Sequence, residues 1–174
     1  MTFTVETAMV LAEVAHNRQK DKLKRPHREH VLTAGDALAD FDDDIRIAGY
    51  LHDIAKDTPI TRQALLEMGV SERAVGIIER VTRRFQDDPD SDEAVILHIA
   101  EDHDATLVKI ACNAHSSLRE RVRALAEKWP DKAPNTRYAD ARKVLYQAVP
   151  RGEIHLILQR INPDLLPELD QLGD

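Results

Sequence analysis

The chain has 174 residues, 31 acidic against 24 basic side chains, eight histidines, one cysteine and a formal net charge of −7. This length suffices for one domain with a real core. The acidic balance argues against general nucleic-acid binding, which needs a basic surface, and a lone cysteine excludes an internal disulfide framework. No apolar run approaches membrane-spanning length, and the N-terminus lacks the charged-then-apolar order of a signal peptide. Abundant Ala, Leu, Arg and Glu with sparse Gly favour helices. The expectation is a soluble, cytoplasmic, all-α protein.

Apolar residues at Val5, Ala8, Met9, Ala12 and Ala15 fall at helical spacing, so a first helix spans Val5 to His16. A basic stretch follows, from Arg18 to Arg28, and Pro26 suits the first turn of a second helix carrying His30, Val31, Ala34 and Leu38. The acidic connector Asp40 to Asp44 supplies N-cap candidates. A third helix is predicted from about Asp43 through Ile54, with Thr58 and Pro59 stopping it. Thr61 to Met68 forms a short helix ending at Gly69. Ser71 opens the next helix, and Gln86 to Asp92 reads as a loop. Ser91 caps a helix carrying Ala94, Val95, Leu97 and His98. The apolar run from Thr106 to Ala114 continues at helical spacing through Leu118, Val122 and Leu125, which predicts one long buried helix. Trp129 to Asn135 is a loop. Further helices are expected over Thr136 to Val149, Arg151 to Ile161 and Pro163 to Leu172.

The stretch LHDIAKDT, Leu51 to Thr58, carries the chemistry. His52 and Asp53 form a doublet able to reach a metal between them. Asp57 lies on the face of Asp53 at i+4, and Lys56 lies over His52 by the same spacing. Such a half-site needs ligands from elsewhere. Three places offer polar groups within apolar surroundings: His30, Cys112, and the cluster from His98 to Asp104.

Four segments in order resemble one family. AHNRQKDKLKRPHREHV is similar to the opening pattern A-H-x-G-Q-x-R-K-x-G-x-P-Y-x-x-H of the Rel/Spo-type alarmone hydrolases. LHDIAKDT resembles their L-H-D-x-x-E-D-T, GIIERVTRR their V-x-x-L-T-[KR], and LVKIACNAHSSLRER their L-V-K-L-A-D-x-x-x-N-L. The resemblance, over about Val5 to Arg121, is to the HD-domain superfamily of metal-dependent phosphohydrolases. It implies an HD-type helical fold over residues 1–174. The motif-bearing core would span about 5–125, with extra C-terminal helices over about 134–172.

The resemblance also implies a metal, usually Mn²⁺. Its positions fall on His30, on His52 and Asp53, and on Cys112 where the family has Asp. Asp57 matches the second member of the family's Glu-Asp pair, and Lys56 stands in place of the Glu. Ser116 replaces a nucleotide-contacting Asn. Asp21 replaces an Arg that packs on the base, beside a retained Lys22. His103 and Asp104 fall outside the pattern and are read as a surface pair.

These departures have physical consequences. Mn²⁺ prefers carboxylate and imidazole, and Cys for Asp offers a soft thiol instead. Lys for Glu places an ammonium near a cation. Cys112 is then either a small apolar residue, the usual part for a lone helical cysteine, or the fourth ligand of a His-His-Asp-Cys zinc site. The expected function is hydrolysis of a phosphorylated nucleotide, guanosine polyphosphate being one candidate. His30, His52, Asp53 and Cys112 would hold the metal, and Asp57 and Lys56 would serve catalysis. Lys22, Lys24, Arg25 and Ser116 would meet the substrate. The alternative is a disabled HD-domain protein that senses a nucleotide or binds a partner, its site empty and Lys56 paired with Asp53 or Asp57 or meeting a phosphate directly.

Overall fold

The computed structural model describes residues 2–82, 91–131 and 136–172, with the side chains of 91 and 92 left aside. Among the described residues the regular elements are helices, without strands. The first helices are α1 (Val5–Ala15), α2 (His27–Asp36), α3 (Asp43–Leu51), α4 (Ile54–Asp57), α5 (Arg62–Glu67) and α6 (Glu72–Val81). They are followed by α7 (Ser91–Ala100), α8 (His103–Ser116), α9 (Arg119–Lys128), α10 (Arg137–Ala148), α11 (Arg151–Ile161) and α12 (Leu166–Gln171). No described helix is long and apolar enough to cross a membrane.

Local chemistry sets most helix starts. Thr4, Asp42, Thr61, Ser71 and Asp102 each accept a first-turn backbone N–H into a side-chain oxygen, satisfying donors that have no partner within the helix. Asp42 comes from the acidic connector, as its composition predicts. Gly69 ends α5 with a positive φ of 94°, a conformation that costs glycine little.

Two predicted helices stop short of the end that their apolar spacing suggests. The third does not run on through Ile54. It stops at Leu51, and a turn at His52 and Asp53 precedes α4. His52 Nδ1 takes the Gly49 carbonyl at 2.7 Å, an acceptor the continuing helix would otherwise use. The long helix expected from Thr106 to Leu125 instead spans His103–Ser116 and breaks at Ser117 and Leu118. Its continuation, α9, buries no residue, and Val122 is exposed. Beyond Ala114 the apolar spacing marks no core. The loop expected over Gln86 to Asp92 lies outside the described residues, apart from its last two, which begin α7.

α8 is the centre of the core and packs on α2, α3, α6, α7, α10 and α11. Leu107, Val108, Ile110 and Ala111 are essentially inaccessible. α2 and α3 approach unusually closely. A Cβ on Gly35 would collide with the Tyr50 ring, and one on Gly49 would lie 3.2 Å from the Gly35 backbone. That approach sets His30 on α2 against His52 at the end of α3. From the other side, buried Arg142 on α10 donates to Asn113 Oδ1 at 3.1 Å, to Ser117 Oγ at 2.8 Å and to both Glu168 oxygens. Asn162 adds a bond to the Ala114 carbonyl at 2.9 Å. The C-terminal helices thereby fix the last turn of α8, which carries Cys112 and His115.

Candidate metal centre

Three ligand-type side chains from three helices converge: His30 of α2, His52 after α3 and Cys112 of α8, with one donor atom each all within 4.8 Å. His30 Nε2 lies 3.2 Å from His52 Nε2 and 3.4 Å from Cys112 Sγ. Asp53 Oδ2 borders the group, 3.4 Å from His52 Nε2 and 3.9 Å from His30 Nε2. His30, His52 and Asp53 are all buried.

The outer nitrogens are committed elsewhere. A carbonyl only accepts, so His52 Nδ1 donates to Gly49 and Nε2 is the atom turned toward Cys112. His30 Nδ1 meets His115 Nδ1 at 2.8 Å. One inner nitrogen from each ring and a thiol sulfur therefore face one another, with a carboxylate oxygen beside the two nitrogens. This donor set fits a divalent cation, and its outer hydrogen bonds are those that orient metal-bound imidazoles.

In the chain alone, protons shape the same electrostatics. Burial disfavours charge on His52, but Asp53 and Cys112 outweigh it and lift the imidazole to about 9. Burial likewise opposes the Cys112 thiolate, yet His30 and His52 draw the thiol well below its ordinary value. Burial, then the neighbouring His30 and Arg121, lower His115 to about 4, so it is neutral near pH 7.

A second cluster forms a rim beside this pocket. His27 Nε2 lies 3.0 Å from Asp53 Oδ2 and 3.3 Å from Asp57 Oδ2. Lys56 Nζ lies 3.1 Å from Asp53 Oδ1 and 3.5 Å from Asp57 Oδ2. Helical spacing puts Lys56 over His52, but its ammonium turns to the two carboxylates, the pairing expected for a site without a metal. Hydrogen bonds that it donates to Asp53 and then to Asp57 raise His27 to about 9 despite its burial. Burial alone would raise both carboxyls. At Asp53, His52 and then His27 and Lys56 reverse that and hold it well below its usual range. At Asp57, His27 and Lys56 lower it too.

The remaining candidates sit around this centre. Ser116 is buried at the end of α8. Lys22 and Lys24 are exposed, and Arg25 half-buried, on the loop between α1 and α2; their side chains make no described contact with the cluster. That loop is a fixed structure. Asp21 Oδ1 accepts the backbone N–H groups of Leu23 and Arg25, Asp21 also pairs with Arg121, and Lys24 takes φ 62°. Asp21, where the resemblance puts a base-stacking Arg, thus organises the basic loop. His103 bonds Asp104 at 2.9 Å and Glu153 at 2.7 Å, joining the start of α8 to α11 at the surface.

Sequence reading missed His27, His115 and His16. His27 precedes His30 by three residues and His115 follows Cys112 by three, so helical spacing held the signal for both. His16 is wholly buried, bonded to Gln19 Oε1 at 2.7 Å, and Gln19 Nε2 donates to the Asp57 carbonyl at 2.7 Å. Burial is the largest effect on His16 and lowers its pKa, consistent with a neutral ring whose Nε2 has no hydrogen-bond partner.

No protein-family model matches the chain. Among solved structures, it is similar to one described as a metazoan orthologue of SpoT that hydrolyses ppGpp and plays a role in starvation responses. The TM-score is 0.61 at 17% identity, over 97% of this chain and 95% of that one. At that identity the likeness is one of fold, and it is the all-helical HD-type fold that the ordered sequence segments predict.

Proposed function

We propose that the chain is an HD-type, metal-dependent phosphohydrolase acting on a phosphorylated nucleotide, with guanosine polyphosphate as the first substrate to test. The observation that carries the reading is the convergence of His30, His52, Asp53 and Cys112 in a fold shared with a ppGpp-hydrolysing protein. These four residues would hold the cation, which when bound polarises a water and the phosphoryl oxygen.

The chain's own groups account for the other requirements. Asp57 is ionised and a weak base, because His27 and Lys56 hold its proton affinity down. Its part is to accept a hydrogen bond from the attacking water and aim it at phosphorus, rather than to keep the proton. His27 clamps Asp53 and Asp57 at a fixed separation, which preorganises both. Lys56, with about a third of its side chain exposed, is placed to meet the non-bridging phosphate oxygens. Lys22, Lys24 and Arg25 add long-range attraction for a polyanion in an otherwise acidic protein.

The assay is release of phosphate or pyrophosphate from guanosine tetraphosphate, and from other nucleotides, by metal-loaded protein. Turnover well above buffer is expected. Its absence from fully loaded protein with every nucleotide refutes the reading.

A second reading, a disabled hydrolase that senses a nucleotide, is favoured by one observation. Lys56 already neutralises Asp53 and Asp57, where the family pattern has an acid. Activity found only in the double variant Lys56→Glu, Cys112→Asp would decide for it.

A further inference from the structure

We propose that Cys112 is a metal ligand, and that the pocket it forms with His30 and His52 selects zinc over manganese. This rests on the metal-dependent reading above and narrows it to the class of ion.

The spacing supports it. Tetrahedral zinc bonds of about 2.0–2.2 Å to nitrogen or oxygen and about 2.3 Å to sulfur set neighbouring donors about 3.3–3.6 Å apart. The pocket has 3.2 Å between the two Nε2 atoms, 3.4 Å from His30 Nε2 to Cys112 Sγ and 3.4 Å from His52 Nε2 to Asp53 Oδ2. The edge from His30 Nε2 to Asp53 Oδ2 is wide, at 3.9 Å, and Asp53 stands outside the group of His30, His52 and Cys112 whose donors lie within 4.8 Å of one another. The two imidazoles and the thiol are thus the inner donors, and the Asp53 carboxylate would have to move toward Cys112 to serve as the fourth.

The directions of the donors support it as well. The Gly49 carbonyl takes the His52 Nδ1 proton, and the His115 Nδ1 beside His30 Nδ1 can accept a proton from it. With a cation in place of the inner proton, both Nε2 lone pairs would face the pocket, the tautomer a ligand needs. Sulfur then decides the ion. A thiolate suits zinc and is a poor partner for manganese, which prefers oxygen donors. Cys112 binds as the thiolate, and the proton that the cation displaces from the pocket is released to solvent. The rim residues His27, Asp53 and Asp57 also group donor atoms, but an ion there would have to displace both Lys56 and the proton shared with His27.

Zinc is spectroscopically silent, so the probe is Co²⁺ added to metal-stripped full-length protein. The wild type should show a near-ultraviolet thiolate-to-cobalt charge-transfer band and intense tetrahedral visible bands, bleached by one equivalent of Zn²⁺ but not by excess Mn²⁺. Cys112→Ser should lose the charge-transfer band. Its zinc affinity should fall by more than the roughly 10–100-fold typical of losing an outer hydrogen-bond partner. Cys112→Asp, checked for folding by circular dichroism, should regain metal binding with the preference moved toward Mn²⁺. Cobalt binding without the charge-transfer band, or equal zinc affinity in Cys112→Ser, would overturn the proposal and leave metal dependence standing. Failure of the wild type to bind any of the three ions would end both.

Discussion

The pocket and the rim lie side by side and share Asp53, yet they solve the same electrostatic problem in opposite ways. Each gathers groups able to bind a cation. In the rim, Asp53 and Asp57 face the chain's own cations, Lys56 and His27, at 3.0–3.5 Å. In the pocket, His30, His52 and Cys112 face one another, with protons alone to mediate. A cluster of possible ligands therefore becomes a metal site when the chain leaves its lone pairs unanswered. Where an internal ammonium answers them, the same residue types become a clamp.

Loss of a pocket ligand should have the largest effect. His30→Ala should reduce zinc affinity by more than a hundredfold, roughly the upper end of what losing an outer partner costs, and take turnover to background. Asp57→Asn, in the rim, should leave zinc affinity as it is and lower turnover alone. Isothermal titration alongside the phosphate-release assay separates the two. Equal losses of affinity would erase the distinction between the clusters.

A smaller effect is expected one hydrogen bond further out. His115→Ala removes the 2.8 Å contact with His30 and should weaken zinc roughly 10–100-fold. His115→Gln, which can still accept from His30, should recover part of that. Affinity measured against a zinc-competing chelator reads the difference, and an unchanged His115→Ala would show that the α2–α3 packing alone orients His30.

The smallest effect concerns pH in metal-free protein. His27 titrates at about 9 when folded against 6.5 for the free side chain, so the folded chain holds an extra proton between those values. Its stabilisation is complete below 6.5 and is lost as pH rises through 9. His52, also raised to about 9, adds a contribution of the same sign. His115, lowered to about 4, works oppositely, costing stability as pH falls from 6.5 toward 4. Unfolding free energy from urea titrations should fall from pH 6.5 to 9, and His27→Asn should make that fall shallower. An unchanged slope would mean the rim is not clamped by an imidazolium.

Much of the fold was legible from residues. The cap in the acidic connector, the helix start at Ser71 and the stop at Gly69 are local devices, and each acts within a few residues of itself. The helical periods of α1, α2 and α8 were legible for the same reason. The errors fell at His52, whose imidazole competes with the backbone for the Gly49 carbonyl, and at Ser117 and Leu118, where α8 ends; apolar spacing records neither. In the candidate site, ordered segments pointed to His30, His52, Asp53, Asp57 and position 112.

Sequence by itself thus determined an all-helical chain and the positions on it that bear metal-type donors, because periodicity, capping and short motifs are short-range properties. Tertiary structure alone decided which donors meet. The contact between His30 and His115 joins residues 85 apart. It depends on the close approach at Gly35 and Gly49 on one side and the Arg142 network on the other. The turn of Lys56 toward Asp53 and Asp57 was likewise decided in space, because the strength of a charge pair depends on distance and burial.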